Sequence, residues 1–251
     1  MSSRGFEALA LSIQGARRLF GPEADYVVCV NTVPVDDVRR RLGATIPDLY
    51  VVQVRRTDIP AWLRNRIDFA CAQGAAWKFA PVRVAPACHE LSLDNDLILW
   101  RTPAAIAGWL SSGDGCVGAE CVQADFGKFS AYCGPEPRNS GIRGLPPGFA
   151  YEGTLRRLIE EHPVTMDAGA DEQGLQAAAL NRQDGARMVT AREVSISSPG
   201  SPELGTHGAH FAGVNAKAPQ PGKEGMERHW DRHREAVAGA VSRIASAKLA
   251  A

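Results

Sequence analysis

Asp94 and Asp96 stand on either side of Asn95 in a chain of 251 residues. On a regular strand, residues two apart share a face but lie well separated, whereas a tight turn brings their side chains together. The apolar runs Glu90-Leu91-Ser92-Leu93 and Leu97-Ile98-Leu99-Trp100 flank the triplet, so the spacing predicts two short strands joined by an acidic turn. Converging carboxylates hold a hard divalent cation, and such a cation neutralises a diphosphate. A second group follows much later, His210-Phe211-Ala212-Gly213-Val214-Asn215-Ala216-Lys217. A neutral imidazole can complete a metal shell, Gly213 lets backbone approach a phosphate, and Lys217 adds a point charge.

Other residues point to chemistry less directly. His229 and His233 lie four apart, a spacing that puts both on one helix face, but Arg228, Arg232 and Arg234 around them predict a solvated face. His207 is a candidate accessory ligand beside His210. Trp77 next to Lys78 could stack on a base or a sugar, while Trp62 and Trp100 read as core or cleft wall. Arg39-Arg40-Arg41 read as the polar side and end of a helix. The six cysteines include no Cys-x-x-Cys pair, so zinc or redox chemistry is not expected, and no Walker-type phosphate loop occurs.

The elements that must position these residues read as an α/β protein. Tyr26–Val30 is expected as a strand buried on both faces, Val35–Leu42 as a helix and Leu49–Val54 as a second buried strand, the start of a doubly wound nucleotide-binding unit. A helix is expected over Pro103–Leu110 and a strand over Val117–Val122. The segment Cys133–Gly148, rich in Gly, Pro, Asn and Ser, is expected as a loop lining a cleft. Tyr151–Glu161 and Asp171–Leu180 read as helices, Met188–Ile196 and Ala209–Val214 as strands, and the stretch from Glu224 onward as a long helix with Val237, Val241, Ile244 and Leu249 inward. A hydrophobic content of 45% in this length supports one core, so residues 1–251 are expected as a single domain. Its halves would be 1–100 for nucleotide and 101–223 for sugar and acceptor, before a C-terminal helix over 224–251.

Lys+Arg and Asp+Glu both total 28, which removes the basic excess expected of a nucleic-acid-binding protein. The first twenty residues interleave charge with apolar positions, unlike a signal peptide or membrane span, so a cytoplasmic protein is expected. Oligomer formation stays open.

Four segments, in order, resemble the glycogenin and galactosyltransferase-type retaining glycosyltransferases of the A-type fold. Asp94-Asn95-Asp96 resembles that family's Asp-x-Asp motif and Asn139-Ser140-Gly141 its Asn-x-Gly loop. Asp171-Glu172-Gln173-Gly174-Leu175 resembles its Asp-Gln-Asp segment, and His210, Gly213 and Lys217 its His-x-x-Gly-x-x-Lys motif. The resemblance implies a single domain with a mixed, mainly parallel central sheet flanked by helices. It implies Mn2+ or Mg2+ held by Asp94, Asp96 and His210, with a nucleotide diphosphate sugar as donor and an unknown acceptor. Asp94, Gly213 and Lys217 would face the nucleotide, Asn31 the nucleoside, and Lys78 the nucleotide or sugar. Gly141 would help bind the donor, and Asn139, Asp171 and Gln173 would border the transferred sugar as the catalytic group. One extra residue separates Gly213 from Lys217, the Pro-Trp that follows in the family is absent, and Gln173 replaces its second aspartate. The alternatives are a nucleotide-sugar-binding module without turnover and a nucleotidyltransferase, although Thr32–Asp37 lacks the glycine-rich basic loop that the latter carries.

Overall fold

The computed structural model describes residues 1–43, 46, 48–70, 74–183, 185–214 and 223–248. Lys217 and Leu249 therefore lie outside the described residues. In chain order the elements are α1 (Ser3–Phe20), β1 (Tyr26–Val30), α2 (Val35–Leu42), β2 (Leu49–Gln53), α3 (Ala61–Arg64), β3 (Glu90–Leu93), β4 (Leu97–Leu99), α4 (Ala104–Ser112), β5 (Val117–Glu120), β6 (Arg138–Leu145), α5 (Tyr151–Glu161), α6 (Gly169–Asn181), β7 (Arg187–Val189), β8 (Val194–Ile196), β9 (Gly208–His210) and α7 (Lys223–Lys248). The protein is mixed α/β, with parallel and antiparallel strand pairs. The chain forms two compact units, one of Met1–Gln53, Asp94–Pro103 and Thr190–Ala251, the other of Val54–Leu93 and Ala104–Val189. Among the described residues no helix is long and apolar enough to cross a membrane.

The first unit is organised by α1, a helix that the sequence reading did not anticipate. Ser2 caps it by accepting from the Gly5 amide at 3.1 Å, and Arg17 and Arg18 sit in its last turn, where the helix dipole favours cations. Phe6, Leu9 and Ile13 recur at helical spacing and join Val30, Val38, Leu42, Ile46 and Val51 in one apolar cluster. The neighbouring stripe approaches β4 very closely. A Cβ on Gly15 would stand 2.2 Å from the Leu99 carbonyl oxygen, so this contact needs glycine. The Ser12 hydroxyl donates to the Leu97 carbonyl at 2.6 Å. A second cluster, with Ala8, Ile98, Ala209, Phe211, Trp230, Val237 and Val241, seats α7 on the same sheet. Each large apolar side chain buried there contributes roughly 1.5–3 kcal/mol.

In the second unit β6 is an interior strand, antiparallel to both β3 and β5, while β7 adds to β5 in parallel. This corrects the expectation of a loop over Cys133–Gly148. Asn, Ser, Gly and Arg are poor strand formers, yet Gly144 suits the close approach of β5, because a Cβ there would lie 2.9 Å from that of Val117. Arg143 is buried between opposing partners instead of facing water.

Two further expectations are corrected. β1 and β2 pair in parallel, but Val27, Cys29, Tyr50 and Val52 on their common outer face are exposed, so only one face is buried. The predicted strand Met188–Ile196 is two short ones, β7 and β8, which belong to different sheets because the turn Thr190–Glu193 intervenes. The described strands form three sheets of two, four and three strands, in place of one mainly parallel sheet.

Candidate metal centre

The acidic turn closes with the Leu97 amide donating to the Asp94 carbonyl at 3.0 Å, and β4 leaves the turn at once. β9 runs antiparallel to β4, with His210 opposite Leu97, and the Phe211 amide donates to the Asp96 carbonyl at 2.9 Å. This register carries the imidazole to the carboxylates. His210 Nε2 lies 3.2 Å from Asp96 Oδ1 and 3.4 Å from Asp94 Oδ2. The three residues each offer one ligand atom, and these atoms all lie within 4.8 Å of one another. Asp96 and His210 are buried at 5% and 4% exposure, and Asp94 is partly buried, so the group opens at one side.

Two carboxylates and an imidazole fit a divalent cation. Taking two carboxylates out of water next to each other is costly unless positive charge joins them.

The strand that carries His210 is itself well anchored. The Ser197 amide, just past β8, donates to the His210 carbonyl at 2.9 Å, and Phe211 packs edge-on against Trp230 with ring centroids 4.9 Å apart. Trp230 donates its indole N–H to Glu7 of α1 at 2.9 Å. His229 corrects the expected solvated face. It is 1% exposed, its Nε2 lies 2.8 Å from the Ser197 hydroxyl, and its ring meets His233 at 4.5 Å. Burial, and after it the charges of His233 and Arg232, hold the His229 imidazole below its usual pKa of 6.5. His207 hydrogen-bonds Thr206 through Nδ1 at 2.8 Å and is not one of the trio. Gly213, three residues beyond His210, has φ of +98°, the left-handed region that glycine tolerates.

Asn31, also in the first unit, follows β1. Its carbonyl accepts from Gln53 Nε2 at 3.0 Å and its side-chain oxygen from the Thr32 hydroxyl at 3.3 Å.

The remaining candidates belong to the second unit. Lys78 donates to the Ser140 hydroxyl at 2.9 Å and lies 3.6 Å from Glu172. Asn139 donates to the Gln173 side-chain oxygen at 3.1 Å and accepts from the Gly141 amide at 2.7 Å, and Gln173 donates to the Asp125 carbonyl at 3.0 Å. Asp171 is built as a helix cap. Its two oxygens accept from the backbone amides of Lys128, Asp167 and Ala168 at 2.9, 2.9 and 3.1 Å, and it is 1% exposed. The carboxylate that sequence reasoning passed over is Glu172, 5% exposed between Lys78 and Gln176. Its signal was its place in the first turn of α6, where an acid is ordinary; only burial beside a lysine sets it apart.

No protein-family model matches this sequence, and no curated protein matches it.

Proposed function

We propose that Asp94, Asp96 and His210 hold a divalent cation, Mn2+ in preference to Mg2+, and that the protein transfers a glycosyl group from a nucleotide diphosphate sugar to an acceptor. The observation that carries this reading is the convergence of the acidic turn with an imidazole from a distant strand. A cation bound there supplies positive charge where a departing diphosphate accumulates negative charge. Asp96 and His210, both buried, keep their ligand atoms fixed through β4 and β9, so little reorganisation accompanies binding. Gly213 permits backbone to approach a phosphate, and Lys217 would add the neutralising charge.

In the second unit Lys78 bonds Ser140 and faces Glu172, and Asn139 bonds Gln173, polar pairs that belong to that unit alone. Asp171 shapes the start of α6 instead of touching the sugar. Its full set of backbone bonds also favours a second reading, a module that binds the nucleotide sugar without turnover.

Calorimetric titration with UDP in the presence of Mn2+ tests the first step. Wild type is expected to bind, and Asp96→Ala to lose the metal-dependent part; equal binding by both would remove the metal from the function. Slow release of free sugar from a panel of nucleotide sugars then separates the enzyme from the binding module.

A further inference from the structure

In the second unit a groove of about 520 Å3 runs between α3 and the C-terminal end of α5. Its walls carry Trp62, Asn65 and Arg66 from α3 and the residues just after it, and Arg156, Ile159 and Glu160 from α5. None of these residues belongs to the sites described above. The volume falls in the range of roughly 300–1,000 Å3 in which small-molecule sites occur.

The groove is held in shape from both sides. The Met166 amide donates to the Arg66 carbonyl at 2.7 Å and the Asp68 amide to the Met166 carbonyl at 2.9 Å, a parallel bridge at Ile67 that ties the end of α3 to the chain leaving α5. The Trp62 indole N–H donates to Glu152 at 3.3 Å, which fixes the ring, and Arg156 is paired with Glu160 at 2.9 Å. Arg66 makes no side-chain hydrogen bond or ion pair among the described residues.

The chemistry of the lining selects the ligand. A pyranose ring has C–H faces that lie against an aromatic plane and a rim of hydroxyls that both donate and accept. Trp62 supplies the plane, Arg66 and Arg156 supply donors, Glu160 an acceptor, and Asn65 both. A phosphate or an acidic peptide fits less well. The groove meets the carbonyl end of α5, where the helix dipole repels anions, and it has no amide cradle. The paired Arg156 and Glu160 cancel, and the charge of Arg66 that remains stands against the carbonyl end of α5, so the lining offers donors without a strong pull on an anion. We infer that the groove between α3 and α5 binds an uncharged saccharide. This goes beyond the transfer reading and does not depend on the metal trio.

The test is a titration of the metal-free protein, watched at the nitrogen–proton resonance of the Trp62 indole, which Trp62→Phe identifies by its disappearance. Maltotriose, chitotriose and mannotriose are the probes, with inorganic phosphate as the anion. At least one trisaccharide is expected to shift the resonance saturably in the millimolar range. Asn65→Ala and Arg66→Ala, at exposed and half-exposed positions that folding tolerates, are each expected to weaken it about tenfold. Asp96→Ala should leave saccharide binding unchanged while removing cation binding, so the two readings fail separately. No saturable shift with any of the three trisaccharides overturns the inference. So does a phosphate shift at lower concentration than any sugar, or binding unchanged in both groove variants.

Discussion

Each unit buries charge, and the two do so in opposite ways. In the second unit Glu90, at 9% exposure, faces Arg83 at 3.7 Å and Arg143 at 3.6 Å and accepts from the Val84 and Ala85 amides at 2.8 Å each. Arg143 donates to Gln176 at 3.0 Å and stacks 4.9 Å over the ring of Tyr151, whose hydroxyl burial pushes up to about 12. In the first unit two carboxylates meet one imidazole at a group open on one side. A buried network in which one carboxylate meets two guanidinium groups and two backbone amides serves structure, since its charges already oppose each other. An acid-rich trio gains from a cation, and that difference marks it as a candidate binding site.

The contrast breaks most visibly at Arg143. Arg143→Met should destabilise the protein by about 3 kcal/mol, because it takes from buried Glu90 one of its two cations and from Gln176 one of its donors, and it should leave Mn2+ affinity unchanged. Denaturant unfolding alongside calorimetry measures both. A mild loss of stability would mean that the network is not the structural one.

Cation binding is the next largest effect. Mn2+ at a hundredfold excess over its dissociation constant should stabilise wild type by about 2.7 kcal/mol, read as a rise in melting temperature that EDTA reverses. Asp96→Ala should show no such rise. The cation-free variant should melt no lower than cation-free wild type, because it relieves repulsion between two acids.

Asp171 sharpens the comparison inside the second unit. As a cap it should cost about 2 kcal/mol when replaced by alanine, through three lost backbone bonds, with Mn2+ binding intact. A melting temperature that barely moves would instead remove Asp171 from the cap of α6.

The smallest effect belongs to His229. Its folded pKa is depressed, so it contributes stability that is present above the unfolded value of 6.5 and lost as pH falls through the folded one. Melting temperature measured from about pH 8 to about pH 5 should therefore decline more steeply in wild type than in His229→Gln. Parallel slopes would remove His229 from the acid response.

Local pattern made much of this legible. The apolar spacing of Tyr151–Glu161, the Pro34 and Gly43 boundaries of α2 and the acidic turn between two apolar runs all follow from short-range rules, and the helices and the turn stand where those rules put them. β6 was hidden because Asn139, Ser140, Gly141 and Gly144 carry no strand preference; burial against β3 and β5 makes them a strand. His229 looked solvated beside three arginines until Phe211 and Ser197 covered it.

The amino-acid order by itself determined which residue types were on hand: two acids on a turn, an imidazole far along the chain, and glycines where backbone must come close. Only the tertiary structure decided that His210 stands opposite Leu97 and so beside Asp96, because strand register is a long-range choice made by packing. Gly15 and Ser12 of α1 press on β4, and Trp230 of α7 presses on Phe211, so elements from both ends of the chain hold the three ligands together.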